Sequence, residues 1–207
     1  MNHSNIFVRL FYLLISAGLT IGLANSCLAA SDGAQLAADK CDACHGKNGN
    51  SEKEDVPSIA GFSEVVMEDS FDMYQSGERK GDTYKVDGKE TNMNEIAKAL
   101  APEDIEALSV FYAEQTFQPR QQKFDAALAA KGAAIHESKC ENCHSEQGSN
   151  ADDDAAILAG QWSPYLLAQC HAFRSGDREP PSKMKKKIDD LSDEEIEALV
   201  NFYASQQ

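Results

Sequence analysis

Two pentapeptides carry the residues best suited to chemistry: Cys41-Asp42-Ala43-Cys44-His45 and Cys140-Glu141-Asn142-Cys143-His144. Both have the form C-x-x-C-H. Two thiols at that spacing can add to the two vinyl groups of a porphyrin, and the histidine that follows can bind its iron, which is the attachment pattern of c-type haem. One such pentapeptide would serve equally well as a redox dithiol or as half of a zinc site. Two copies, each followed by a suitably placed methionine, favour two covalent haems over zinc or a redox disulfide.

The pentapeptides sit in a tandem repeat. Cys41 and Cys140 are 99 residues apart, and the same offset aligns Gly33-Ala34 with Gly132-Ala133, Lys40 with Lys139, Gly49 with Gly148, and Ile59-Ala60-Gly61 with Leu158-Ala159-Gly160. It also aligns Tyr74-Gln75-Ser76-Gly77-Glu78-Arg79 with Phe173-Arg174-Ser175-Gly176-Asp177-Arg178. Further on the offset is 91: Glu103 to Leu108 matches Glu194 to Leu199, and Phe111-Tyr112-Ala113 matches Phe202-Tyr203-Ala204. The difference of 8 places an insertion in the first copy within Lys80 to Glu90. That stretch is polar and contains Gly81 and Gly88, as suits a surface loop.

Histidine fills one axial position of each iron. Methionine in the other raises the reduction potential and closes the metal to outside ligands. After His144 the only methionine is Met184, in an irregular Pro180-Pro181-Ser182-Lys183 approach to the last helix. The first copy offers Met67, Met73 and Met93. Met67 and Met73 align with Leu166 and Ala172 and read as core. Met93 aligns with Met184, and both lie 18 residues before their Phe-Tyr pair. The expected iron ligands are therefore His45, Met93, His144 and Met184, with Cys41, Cys44, Cys140 and Cys143 as the attachment points. Cys170 and His171 align with Phe71 and Asp72, so they are expected at an apolar position and at the surface or a helix cap. His136 aligns with Ala37 and is not a candidate; nor is His3, which lies in the leader.

The elements that must position these groups are helical, and the fold class is all-α. Helices are expected at Asp32 to Lys40 and Asp125 to Lys139, at Ser63 to Ser76 and Pro164 to Ser175, and at Pro102 to Gln115 and Asp193 to Ser205. Ser192 with Glu195 forms a capping box, and Pro102 suits a first helical position. Ile105, Leu108, Phe111 and Tyr112 share one helical face, expected to pack on the first helix. The linker falls near Phe117 to Lys123, around Pro119.

The chain of 207 residues is 8% aromatic and carries a formal charge of −15, which becomes −16 without a leader whose one charged residue is Arg9. Such acidity excludes nucleic acid and anionic membrane surfaces as partners. It suits a basic protein partner or a plainly solvated acidic surface. Lys183, Lys185, Lys186 and Lys187 around Met184 run against this trend. They are either a solvated approach to a helix or a basic rim that steers an acidic electron partner. In the second case charge reversal at Lys185 and Lys186 should slow electron transfer.

Residues 1–30 read as a signal peptide: Arg9, an apolar run from Leu10 to Ala24, then a small-residue cleavage site near Ala29 or Ala30. An uncleaved anchor and lipidation of Cys27 are the alternatives. Cleavage leaves a periplasmic protein with no membrane span, divided into domains at 31–117 and 118–207. Four cysteines are taken by haem, Cys27 leaves with the leader and Cys170 stands alone, so no disulfide framework is needed.

The paired C-x-x-C-H sites, the linker Gln115-Thr116-Phe117-Gln118-Pro119, the run from Ile157 to Leu166 (Ile157-Leu158-Ala159-Gly160-Gln161-Trp162-Ser163-Pro164-Tyr165-Leu166) and the ending Phe202-Tyr203-Ala204-Ser205-Gln206-Gln207 resemble the dihaem cytochrome subunit of flavocytochrome c sulfide dehydrogenase. The resemblance covers the mature chain and weakens around the insertion. It implies two tandem class I cytochrome c domains, each wrapped around one haem c held by the residues named above. It also implies an FAD-containing flavoprotein subunit as electron donor and a soluble cytochrome as acceptor, with sulfide oxidation left to the flavoprotein. A free-standing dihaem carrier feeding a terminal oxidase is the alternative, since such carriers share the tandem fold and the Ala-Gly-Gln motif. An enzyme of the peroxidase type would need an open axial position, against which two methionine ligands argue.

Overall fold

The computed structural model describes residues 32–207; the expected leader, with Arg9 and Cys27, lies outside the described residues. Helix α1 (Gly33–Lys40) starts where the Asp32 carboxylate accepts the amides of Ala34 and Gln35, two donors the helix itself leaves unpaired. A single turn, α2 (Asp42–His45), then carries the second cysteine and the histidine. After a loop come α3 (Glu64–Ser76), the hairpin β1 (Tyr84–Val86) and β2 (Lys89–Thr91), α4 (Met93–Lys98) and α5 (Pro102–Ala113). The second half repeats the series as α6 (Ala126–Lys139), the one-turn α7 (Ser145–Gly148), α8 (Ser163–Ser175), α9 (Ser182–Asp189) and α10 (Asp193–Ala204).

The last helix of each half lies on the first, α5 on α1 and α10 on α6. Glycine makes the crossing possible. A Cβ on Gly33 would strike the Ala107 carbonyl and Phe111, and one on Gly132 would strike the Ala198 carbonyl and Phe202. The face expected from Ile105, Leu108, Phe111 and Tyr112 is the packed one. Leu108 and Tyr112 are fully buried, and their counterparts Leu199 and Tyr203 are buried in the second core. Met67 and Phe71 from α3 complete the first core, and Leu166 and Phe173 from α8 complete the second.

The inserted residues form the hairpin. Asp87 and Gly88, at φ 49° and 80°, make its two-residue turn, a conformation in which both central residues need positive φ. Two details differ from the sequence expectation. Met184 lies inside α9 rather than in an irregular approach, because Pro181 precedes the helix and leaves Met184 and Ile188 free to form an i, i+4 apolar seam. Helix α8 begins at Ser163, one residue early, because Pro164 is tolerated in a first turn.

The halves meet through equivalent segments. Arg79 and Arg178 form an antiparallel bridge, flanked by Lys80 N–H to Asp177 O and Glu179 N–H to Glu78 O, both 2.8 Å. Self-complementary pairing of equivalent segments is what two-fold symmetry generates, here within one chain. Buried Gln161 reinforces the contact by accepting from Ser58 N–H at 2.9 Å and donating to Ser58 O at 2.8 Å. The linker is strapped into the same seam. Arg120 N–H donates to Gly160 O, and the Gln122 side chain donates to Gln161 O and accepts from Ser163 N–H.

Candidate haem sites and the seam between them

In the N-terminal half Cys41, Cys44, His45 and Met93 line one cleft, which spans about 1110 Å³ of empty space, open solvent at its mouth included. Helix α1 delivers Cys41, α2 carries Cys44 and His45, and Met93 is the first residue of α4, placed there by Asn92, whose side chain caps the helix at Glu95 N–H. Gly81 lies against the Met93 backbone, where a Cβ would come within 2.9 Å of the amide nitrogen. Met67 also reaches this cleft and is buried in the core; Met73 does not line it.

His45 Nδ1 lies 2.9 Å from the Pro57 carbonyl. A carbonyl only accepts, so Nδ1 carries the proton and the Nε2 lone pair is free for a metal, the arrangement usual for a ligating histidine. Burial pushes the ring below the ordinary imidazole range, while the Pro57 bond works the other way, so the ring is neutral at neutral pH. His144 is also shifted down by burial. His144 Nδ1 itself is buried without a hydrogen-bond partner.

The donor set suits a porphyrin and not a bare metal ion. Among the described residues no three His, Cys, Asp or Glu side chains converge as a metal cage. The cleft is walled instead by Phe71, Tyr74, Ile96 and Tyr112, side chains that would bury an apolar macrocycle. At its inner end stands Arg79, 5% exposed, with Nη2 3.0 Å from the Tyr165 hydroxyl and 2.9 Å from Gln169 Oε1. Arg178 Nη1 shares Gln169 Oε1 at 2.8 Å, and its buried Nε has no partner. The guanidinium groups lie over Tyr74 and Phe173, at 4.6 Å and 4.4 Å. Among the described residues neither arginine has a carboxylate partner. Two cations withdrawn from water require an anion, and the carboxylates of a haem are anions of the right kind. The group fits.

In the C-terminal half Cys140 ends α6, Cys143 and His144 follow on the next turn, and Met184 packs against the second core from α9. Repeat alignment assigns no role to His136, yet it is fully buried here. Its Nδ1 is 2.9 Å from the Tyr203 hydroxyl and its Nε2 2.6 Å from Glu141. The equivalent Tyr112 hydroxyl and Asp42 Oδ1 are buried without partners, because Ala37 stands where His136 would bridge them. Cys170 is half-buried beside the second core, and burial lifts its thiol to about 11; His171 is exposed. Both match expectation. Arg79, Arg178, Tyr165 and Gln169 were missed as a functional group. The repeat aligned the two arginines, but nothing in one dimension brings them together.

No described helix is long and apolar enough to cross a membrane. Residues 30–113 match the family model for cytochrome c, and residues 127–202 match that for cbb3-type cytochrome c oxidase subunit III. The chain is 30% identical over 206 residues to cytochrome c4 of Pseudomonas aeruginosa, covering 92% of this chain and 96% of that protein. It is 28% identical over 185 residues to a thiosulfate dehydrogenase electron acceptor of Stutzerimonas stutzeri, covering 84% and 82%. The crystal structure of reduced cytochrome c4 from Pseudomonas stutzeri superposes with a TM-score of 0.69 at 24% identity, over 86% of this chain and 98% of that one. The chain therefore belongs to the dihaem class I cytochrome c family that includes cytochrome c4: it is an electron carrier rather than an enzyme, built of two cytochrome c domains with two covalently bound haem c groups.

Proposed function

We propose that this protein takes electrons from a catalytic dehydrogenase of sulfur-compound oxidation and passes them to a soluble cytochrome in the periplasm. Cys41 and Cys44 attach one haem, with His45 and Met93 as iron ligands; Cys140 and Cys143 attach the other, with His144 and Met184. The domains divide at 117/118. When bound, each haem supplies one-electron exchange at iron without substrate bonds. The chain's residues orient His45 through Pro57, exclude water with the core aromatics, and neutralise acidic groups with Arg79 and Arg178.

The observation that carries this reading is the single cleft that brings Cys41, Cys44, His45 and Met93 together beside a seam joining the two halves. Replacing Met93 with Ala should lower one haem's potential and let ferrous iron bind carbon monoxide. An unchanged spectrum and no carbon monoxide binding would move the ligand to Met67, which lines the same cleft.

For the donor, the linker, the Ile157 to Leu166 run and the C-terminal residues resemble the partner of a flavin-containing sulfide dehydrogenase, and the thiosulfate dehydrogenase acceptor is a relative from the same area of chemistry. Gentle purification of the native protein should bring a larger flavin-containing subunit with it. Isolation as a stable free cytochrome, active toward a terminal oxidase, would favour the second reading, a free-standing carrier. The cytochrome c4 relative, matched almost end to end, supports that second reading.

A further inference from the structure

We infer that the face of α9 is a docking surface for an acidic redox protein, and that it serves the C-terminal haem alone. The inference deepens the electron-carrier reading and rests on the assignment of Met184 to that haem.

Charge is divided unequally along the chain. Residues 32–117 hold 8 Lys and Arg against 19 Asp and Glu, and residues 118–207 hold 10 against 15. Four of the ten cations in the second half lie on one helix. In α9, Met184 and Ile188 turn into the second core, while Lys183, Lys185, Lys186 and Lys187 are all exposed. Lys185 is paired with Asp189 at 2.8 Å; among the described residues the other three have no ion-pair partner.

The repeat supplies an internal control. At the equivalent positions around Met93 stand Asn92, Asn94, Glu95 and Ile96, with no cation among them. Asn94 is committed to the fold: it accepts from Gly81 N–H and donates to the Tyr74 and Arg79 carbonyls. A general need of the scaffold would have clustered lysine on both methionine helices. Helix α4 carries Lys98 alone, in its last turn, whereas α9 carries four lysines immediately around Met184, in a protein otherwise strongly acidic. Unpaired, exposed cations in such a setting raise the local concentration of an acidic partner and orient it toward the nearest haem. The acidic N-terminal face repels the same partner. An acidic protein is thereby directed to one haem of the two.

The test uses the intact dihaem protein and reduced flavodoxin as probe, a small acidic protein that gives up one electron to oxidised haem with no transfer of atoms. In stopped flow the second-order rate should fall steeply as salt is raised. Replacing Lys183, Lys186 and Lys187 together with Glu should slow it at least about tenfold at low ionic strength, the lower end of the range for electrostatic steering. The corresponding Gln variant should fall between, and Lys85→Glu with Lys89→Glu on the N-terminal hairpin should leave the rate near wild type. A salt-independent rate, an unaffected lysine variant, or an equal loss from the hairpin variant would overturn the docking surface. Haem content is measured on every sample before mixing. Fewer than two covalent, reducible haems in the wild type would sink the carrier assignment instead, whereas two intact haems with unsteered flavodoxin would sink the docking surface alone.

Discussion

The two halves meet the same local demand, a sharp turn directly after the histidine of C-x-x-C-H, by different means. In the N-terminal half Gly46 takes φ 72°, a region open to glycine at no steric cost, and a Cβ there would strike the Asn50 carbonyl. In the C-terminal half Ser145 stands in its place, and the turn moves to Glu146 and Gln147 at φ 54° and 64°. Non-glycine residues in that region cost of the order of 1–3 kcal/mol each and persist only where their surroundings hold them. Two carboxylates do so. Glu141 accepts the amides of Glu146 and Gln147 at 3.0 Å and 3.3 Å, and Asp153 accepts Ser145 N–H and its hydroxyl. Glycine opens one turn through backbone freedom, with Asn48 following at φ 57°; charge secures the other. The difference shows that repeat symmetry fixes the course of the backbone while each copy keeps its own local chemistry.

The harshest test of that symmetry is at the helix crossings. Gly132→Val drives a side chain into the Ala198 carbonyl and Phe202, and overpacking of this kind costs about 1–3 kcal/mol or more. Its urea midpoint should drop sharply, and Gly33→Val should behave alike at Ala107. Tolerance of either one would mean that the crossings are not equivalent.

A smaller effect should follow at the seam. Gln161→Leu strands the buried amide and carbonyl of Ser58, at a cost of about 1–3 kcal/mol for an unsatisfied group. Phe62, the repeat counterpart of Gln161, is plain core. Denaturation of Gln161→Leu should separate into two transitions as the halves uncouple, with the haem spectra preserved. A single unshifted transition would deny the seam any coupling role.

The mildest effect is a pH difference between the two turns. The hydrogen bond from His136 holds Glu141 below the ordinary carboxylate range, and bonds from Ser145 do the same for Asp153. A carboxylate lowered in the folded state contributes stability that is complete above its unfolded pKa and is lost as pH falls through the lowered value. Acid should therefore loosen the C-terminal turn and leave the glycine turn at Gly46 untouched. Glu141→Gln combined with Asp153→Asn should flatten the fall of melting temperature between about pH 5 and pH 3. An unchanged slope would place the acid sensitivity elsewhere.

Much of the molecule was legible because repetition supplied an internal comparison. It found the insertion that became the β1–β2 hairpin, matched Met93 to Met184, and set Met67 and Met73 aside as core, although Met67 proved to share the cleft. Where a residue had no counterpart of like chemistry the comparison was silent. His136 was passed over because it aligned with Ala37, yet it joins Tyr203 to Glu141. The pairing of Gln161 with Ser58 crosses 103 residues and follows no period that a helix or strand would leave in the sequence.

By itself the sequence determined the number and chemistry of the sites, since C-x-x-C-H spacing, a repeat offset and helical periodicity are all local relations along the chain. Only the tertiary structure decided what lies between the sites. There Arg79 and Arg178 come together without a carboxylate, Gln161 locks onto Ser58, and Arg120 and Gln122 tie the linker into the same seam. The reason is physical: local spacing is fixed by covalent geometry, whereas the meeting of distant side chains depends on how two folded halves bury their faces against each other.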